Sequence, residues 1–393
     1  MTDKRETLLR NCLQKIAKEQ GYDNPELKIT AVPTTGSNFS SQLFNATISS
    51  SKKDDLNLFG KVAVVGEDFR TQGLPAKVFD IERYVYTKLL NIFKEIEKRH
   101  NLPEKHRLVT PQFYGYSETY LEEVMVLQDL SVQGFTTYDR LKSIDWDYAA
   151  ASVEELAKLH SLSIALMRDY PDEMEEAFKV LVWNIDQTSV GTVHRQMNDS
   201  MVAMVREENR PRLQRFFNEK FNEETLAKYY KPLKCPVIIH SDFKPSNLMH
   251  KIDKNGKLQV IIVDYQTLHP GSAVTDLMTF LTFGSDGQFR KQHFLQLMDH
   301  YYESMAAALK RLDLDPEEVY PKADFDYELK EILPMMLVMS SLVVPLITAD
   351  QALMPEAGEA ESFHSLVTMD KNNHLCAQRL NEIVDDFVRW GII

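Results

Sequence analysis

The sequence predicts an α+β protein with a small β-rich N-terminal lobe and a larger, mostly helical C-terminal lobe. Three observations carry this. Residues 27–65 read as short apolar runs separated by Gly, Ser and Asn turns, the texture of antiparallel strands. From residue 146 onward apolar residues mostly recur near a period of 3.6. Strand texture returns only once within that helical part, in VIIH (237–240) and LQVIIVD (258–264).

The 393 residues, at about 150 per domain, suit two or three units or one large two-lobed enzyme. Hydrophobic residues at 44% and charged residues at 26% are an ordinary globular balance, which excludes a disordered or fibrous chain. Lys and Arg number 45 against 58 Asp and Glu, a formal net charge of -13. A surface this acidic argues against general nucleic-acid binding, which needs clustered cations. The three cysteines, Cys12, Cys235 and Cys376, match no metal spacing and suggest no disulfide scaffold, so a reducing, cytoplasmic setting is expected. The charged start MTDKRETLLRN lacks the apolar run of a secretory signal.

In chain order, the first 20 residues predict an amphipathic helix. LKITAV, FNATIS and NLFGKVAVV predict three antiparallel strands. A helix is expected over Ala76 to Arg99, with Val78, Ile81, Val85, Leu89, Ile92, Phe93 and Ile96 on one face. Glu82 falls on that apolar face, where a carboxylate needs a partner. Phe113–Glu118 and Glu122–Leu127 predict a hairpin, and QDLSVQGF a connector. Helices then fill about Trp146 to Arg168 and the stretch to Tyr230. Residues 332–349, ILPMMLVMSSLVVPLITA, are long enough to raise the question of a membrane span. Two prolines and three hydroxyl residues interrupt the run, so a buried helix is expected. The lobe boundary is expected near Leu130, giving 1–130 and 131–393.

The chemistry concentrates in VIIHSDFKPSNLMH and LQVIIVDYQ. Each apolar strand ends in polar residues: His240, Asp242, Lys244 and Asn247 after the first, Asp264 after the second. A charge at the end of a buried strand is expensive unless it is paired, bound to metal or catalytic. H-x-D-x-x-x-x-N followed by a strand ending in Asp is the spacing used by kinases. Phosphoryl transfer asks the protein for positioning and charge stabilisation. Asp242 would take or orient the acceptor's hydroxyl proton, and Lys244 would direct its ammonium at the transferred group. Asn247 and Asp264 would offer oxygen ligands to Mg²⁺. His240 is read mainly as a residue that holds the loop, with proton transfer as the other role.

Lys61 lies inside an apolar strand and Glu82 on an apolar helix face, so each is expected to serve as the other's counter-ion beside a nucleotide's phosphates. The turn TTGSNFSSQ (34–42), with Gly36, Ser37 and Asn38 and a single glycine, reads either as an ordinary turn or as a nest whose backbone N–H groups approach phosphates. Gln128, Asp129 and Leu130 would form the hinge whose backbone reads an adenine edge. Asp276, opening the apolar helix TDLMTFLTF, is expected to cap that helix or to bond the catalytic-loop backbone.

These pieces together resemble the ecdysteroid kinase-like family, within the group of choline kinases and aminoglycoside phosphotransferases. The matching segments are GSNFSS (36–41), Lys61, VFDIERYVY (78–86), VLQDLSVQGF (126–135), LAKLHSLS (156–163), HSDFKPSN (240–247), VDYQ (263–266) and TDLMTFL (275–281). The resemblance implies a protein-kinase-like fold, ATP with Mg²⁺, and phosphorylation of a hydroxyl on a small molecule, an ecdysteroid or another lipophilic alcohol. The family usually has Glu at position 128 and Gly at position 241. A protein kinase is disfavoured: a mostly helical stretch separates LAKLHSLS from HSD, and no A-P-E segment follows VDYQ. Met-rich helix 332–349 with Phe283, Tyr301 and Tyr302 is one possible apolar wall for the acceptor, against plain core packing. A nucleotide- or hormone-binding protein on the same fold, and a choline- or ethanolamine-type kinase, are the alternatives. No obligate protein partner is indicated.

Overall fold

The computed structural model describes residues 4–33, 40–64, 66–67, 70, 77–183, 187–222, 229–350 and 373–393. The chain is α+β and divides into two compact units. The first takes in residues 1–79, 110–136 and 349–366; the second takes in 80–109, 137–348 and 367–393.

In the first unit, helix α1 (Lys4–Glu19) lies against a five-stranded antiparallel sheet. Its strands are β1 (Glu26–Val32), β2 (Ser41–Ser50), β3 (Lys53–Ala63), β4 (Phe113–Ser117) and β5 (Val124–Gln128), in the order β1-β2-β3-β5-β4. The helix buries Leu9, Cys12, Leu13, Ile16 and Ala17, a helical stripe, against Phe44, Ala46, Ile48, Leu58, Val62, Val124 and Val126. Helix and sheet approach closely at Gly60, where a Cβ would stand 2.8 Å from Leu9 Cδ1. The three strands and the hairpin expected from the sequence are all present.

In the second unit the helix expected over 76–99 is Val78–Tyr84 (α2), a π-helical turn Val85–Leu89, and Leu90–Arg99 (α3). All seven of its expected apolar positions are buried, and so is Glu82. Next come α4 (Trp146–Asp169), α5 (Pro171–Leu181), α6 (Gln187–Met204) and α7 (Arg210–Lys220). The strands are β6 (Val237–Ile239), β7 (Leu248–Ile252), β8 (Leu258–Ile262) and β9 (His269–Gly271). The sequence reading found β6 and β8 and missed their antiparallel partners: β9 pairs with β6, and β7 with β8. β9 is three residues long and carries Pro270, and in β7, LMHKI, the adjacent His250 and Lys251 break the apolar run.

The remaining helices are α8 (Ala273–Gly284), α9 (Gly287–Arg311), α10 (Pro316–Val319), α11 (Lys322–Thr348) and α12 (His374–Arg389). Every residue of α8 is buried. The run at 332–349 belongs to the much longer α11, which continues through Pro334 and Pro345. A proline removes one backbone donor, and packing outweighs that loss here. This helix is long and apolar enough to cross a membrane by length and composition, yet 67% of its apolar window is buried inside the protein. Polar α11 residues pin it as well. The buried Glu328 carboxylate accepts from Lys234 N–H (2.7 Å), Cys235 N–H (3.0 Å), Ser272 Oγ (2.5 Å) and Tyr320 OH (2.7 Å). The three cysteines are free and buried, and burial pushes the thiols of Cys12 and Cys376 up to about 11 and that of Cys235 up to about 12.

Candidate active site

The second unit brings together His240, Asp242, Lys244 and Asn247 in the loop after β6, with Asp264 after β8. Strand β6 is fully buried, so the loop leaves the core from a fixed point. Both Asp242 oxygens receive the Lys244 ammonium, at 2.6 and 2.5 Å. Asn247 Nδ2 donates to Asp242 Oδ2 (2.8 Å) and to Asp242 O (2.9 Å). The Asp242 side chain is 33% exposed, so an incoming hydroxyl can reach it. Lys244, expected to aim at the transferred phosphoryl group, instead sits on the Asp242 carboxylate. Paired in this way, the Asp242 side chain is held in one orientation.

His240 is fully buried. Nε2 is 3.0 Å from Val263 O, which can only accept, so Nε2 carries the proton. Nδ1 is then free to accept from Asp242 N–H, at 3.3 Å. Both nitrogens face the backbone of the two segments, the geometry of the loop-holding role read first for His240.

Asp276 is the residue on which the loop hangs. Its carboxylate, wholly buried, accepts from His240 N–H (2.6 Å) and Ser241 N–H (2.7 Å). His160 Nε2 lies 3.1 Å from the same carboxylate, and His160 Nδ1 pairs with Tyr301 OH at 2.7 Å. Helix α8 is capped by Ser272, so of the two roles expected for Asp276 the structure selects the bond to the loop backbone. Thr267 Oγ1 closes the other side by donating to His240 O (2.8 Å). His160 and Thr267 were missed as loop supports; LAKLH was the only signal for the first, and the second had none.

Two loop residues take the left-handed conformation: Ser241 at φ 66° and Asp264 at φ 65°. This explains why glycine suits position 241. The left-handed region costs a residue with a Cβ roughly 1–2 kcal/mol. Glycine's larger unfolded-state entropy takes back about 0.5–1 kcal/mol. Ser241→Gly is therefore expected to raise stability by up to about 1 kcal/mol, read as a higher urea midpoint. A lower midpoint would show that the serine side chain makes a compensating bond.

The residues that would hold Mg²⁺ fit a hard cation. Asn247 Nδ2 is committed to Asp242, which leaves the amide oxygen Oδ1 as a ligand atom. Val263 N–H donates to Asn247 O (3.0 Å), tying the Asn247 turn to the residue before Asp264. Gln266 Nε2 donates to Asp264 Oδ2 (3.3 Å). Among the described residues no group of three or more His, Cys, Asp or Glu could hold a metal. Two oxygen ligands completed by phosphate and water are what Mg²⁺ commonly takes.

The remaining candidates divide between the units. Lys61, on β3 of the first unit, is 5% exposed, and Glu82, on α2 of the second, is 1% exposed. The burial expected of each is therefore found. Gln128 N–H donates to Gln112 O (2.8 Å) and Asp129 N–H to Asn57 O (3.2 Å). These two N–H groups are committed, so an adenine edge would be read by the carbonyls of this stretch or by the Leu130 backbone. The Asp129 carboxylate caps the following turn through Ser131 N–H (2.8 Å) and Ser131 Oγ (2.6 Å). Gly36, Ser37 and Asn38 lie outside the described residues. The aromatic acceptor wall is not found: Tyr301 is buried against His160, Tyr302 OH donates to Tyr320 O (3.0 Å), and Phe283 is core.

A family model, the ecdysteroid kinase-like family, matches residues 35–314. The chain belongs to the ecdysteroid kinase-like family. That match takes in both strand-end segments and Asp276, and the chain shares the family's protein-kinase-like fold. Similar solved structures include the GDP and kanamycin complex of APH(2")-IIia, at 10% identity and a TM-score of 0.47, covering 86% of this chain and 93% of that one. The GDP complex of wild-type aminoglycoside 2'-phosphotransferase-IIIa is 10% identical, with a TM-score of 0.44, covering 96% and 97%. A search of curated proteins finds no match. In this member of the ecdysteroid kinase-like family the loop glycine is Ser241, and the left-handed backbone is kept.

Proposed function

We propose that this member of the family transfers the γ-phosphoryl group of ATP to a hydroxyl of a small lipophilic acceptor such as an ecdysteroid. The observation that carries the reading is Asp242, half-exposed and clamped by Lys244 and Asn247 on a loop hung from Asp276. The acceptor's O–H proton passes to the Asp242 carboxylate as its oxygen bonds to the γ-phosphorus and the bond to ADP breaks. Lys244 keeps the carboxylate oriented until then. Asn247 and Asp264 would hold Mg²⁺, which supplies positive charge to the phosphate oxygens. Lys61, with Gly36, Ser37, Asn38 and the backbone of Gln128, Asp129 and Leu130, is assigned to the nucleotide, and Glu82 to supporting it.

The test is transfer from labelled ATP to a pool of hydroxylated metabolites, ecdysteroids included, with products resolved by mass. A product heavier by one phosphate establishes the activity and names the acceptor. ATP binding without any phosphorylated product from that pool or from a wider extract would favour a binding protein. The metal assignment has its own check. Asp264→Ala is expected to weaken Mg²⁺-dependent ATP binding by about 10–100-fold, the loss seen even for partners outside the ligand set. Unchanged ATP affinity in the presence of Mg²⁺ would remove Asp264 as a ligand.

A further inference from the structure

Near the catalytic loop three rings from distant parts of the chain meet. His269, Trp183 and Tyr230 have centroid separations of 4.8 Å (Trp183 to His269), 5.9 Å (Tyr230 to His269) and 6.1 Å (Trp183 to Tyr230). Tyr229 packs edge-on against Tyr230 at 5.0 Å. His269 is 2% exposed, whereas Trp183 and Tyr230 are half-buried, so the cluster has a buried floor and a partly open rim.

The cluster is tied to the chemistry by the backbone. His269 pairs with Ile239 in the β6–β9 ladder, and Ile239 immediately precedes His240. Burial holds the Tyr229 phenol well above its ordinary range, with Tyr230 and the carboxylates of Asp276 and Asp242 adding to the effect. The ring cluster therefore sits on the strand pair that leads into the Asp242 loop.

Its polar atoms point to the ligand. His269 Nδ1 lies 3.3 Å from Thr267 O and must carry the ring proton, since a carbonyl only accepts. Burial pulls this imidazole down to about 4, so it is neutral at physiological pH. His269 Nε2 is then a buried acceptor, and it has no partner. Trp183 Nε1–H is a buried donor, and it too has no partner. Leaving a buried donor and a buried acceptor unmatched in one ring cluster is unfavourable unless something fills both.

We propose that Trp183, Tyr230 and His269 form the acceptor subsite of the proposed phosphotransfer, and that it takes a neutral, flat, apolar molecule bearing hydroxyl or keto groups. The rings cover the apolar body. His269 Nε2 accepts from one hydroxyl, and Trp183 Nε1–H donates to an oxygen. The cationic head of a quaternary ammonium such as choline offers neither an N–H for His269 Nε2 nor a lone pair for Trp183 Nε1–H, so that head leaves both atoms unmatched. The assignment rests on the proposed activity for its catalytic meaning, and on the unmatched donor and acceptor for its ligand class.

The full chain is titrated with ecdysone, estradiol and choline chloride, following tryptophan emission and heat of binding. A neutral steroid alcohol is expected to bind and choline is not. His269→Phe and Trp183→Phe should each weaken steroid binding by about tenfold, the loss of one hydrogen bond, and the second should also remove the emission change. ATP affinity should stay at its wild-type value in both, which checks that each variant is folded. Choline binding in place of the steroids, binding of none of the three, or wild-type steroid affinity in both variants would overturn the subsite. Phosphate transfer measured on the same samples separates the two ideas. Steroid binding lost in the variants without any wild-type transfer sinks the activity and keeps the subsite. Transfer with an unchanged acceptor KM in both variants keeps the activity and sinks the subsite.

Discussion

An Asp242→Asn enzyme is expected to bind ATP as the wild type does and to lose kcat by about 10²–10⁴-fold, the usual contribution of a positioned acid or base. Asparagine keeps the volume and one acceptor oxygen, so the loop stays in place. It cannot take a proton, and it gives up the charge that Lys244 holds at 2.6 Å. Asn247 Nδ2, now donating to Asp242 Oδ2 at 2.8 Å, would face either an amide oxygen or an amide N–H depending on the rotamer. Single-turnover transfer, measured beside ATP affinity, separates chemistry from binding. Turnover within a few-fold of wild type would remove Asp242 as the proton acceptor. A parallel loss of ATP affinity would mean that the charge supports the nucleotide rather than the acceptor.

Replacing Asp276 by alanine is expected to destabilise the protein by about 3–5 kcal/mol, as breaking a buried charged network does. Two backbone N–H groups, His240 and Ser241, and His160 Nε2 would lose their acceptor in a wholly buried site. The damage reaches the chemistry because both backbone donors belong to the loop that carries Asp242. Asp276→Asn is the milder companion: it keeps one acceptor oxygen but turns its NH₂ toward a backbone N–H. The urea midpoint should therefore fall in the order wild type, Asn, Ala, with kcat falling alongside. An alanine variant within about 1 kcal/mol of wild type would show that the loop is held by Thr267 and the β6–β9 ladder instead.

Much of this arrangement was legible along the chain, for local reasons. Val237 to Ile239 and Leu258 to Ile262 are apolar runs that end in polar residues, and a polar residue leaving a buried strand announces a site before any fold is known. Glu82 and Lys61 were legible because each interrupts an apolar pattern, and both are buried. His240 was legible as a member of the site, while only the position of Val263 O assigns its proton. The hinge was legible as a place, while the use of Gln128 and Asp129 N–H by Gln112 and Asn57 depends on strand pairing.

The sequence by itself determined the α+β class, the order of the main strands and helices, and the set Asp242, Lys244, Asn247 and Asp264, because periodicity and short spacings are properties of neighbouring residues. Only the tertiary structure decided that Lys244 rests on Asp242, that Asp276 and His160 suspend the loop, and that α11 runs unbroken through two prolines. It alone brought Trp183, Tyr230 and His269 together. Those outcomes are contacts between residues far apart in the chain, and they are set by which donors and acceptors find each other when water is excluded from the core, a matter on which no local pattern carries a signal.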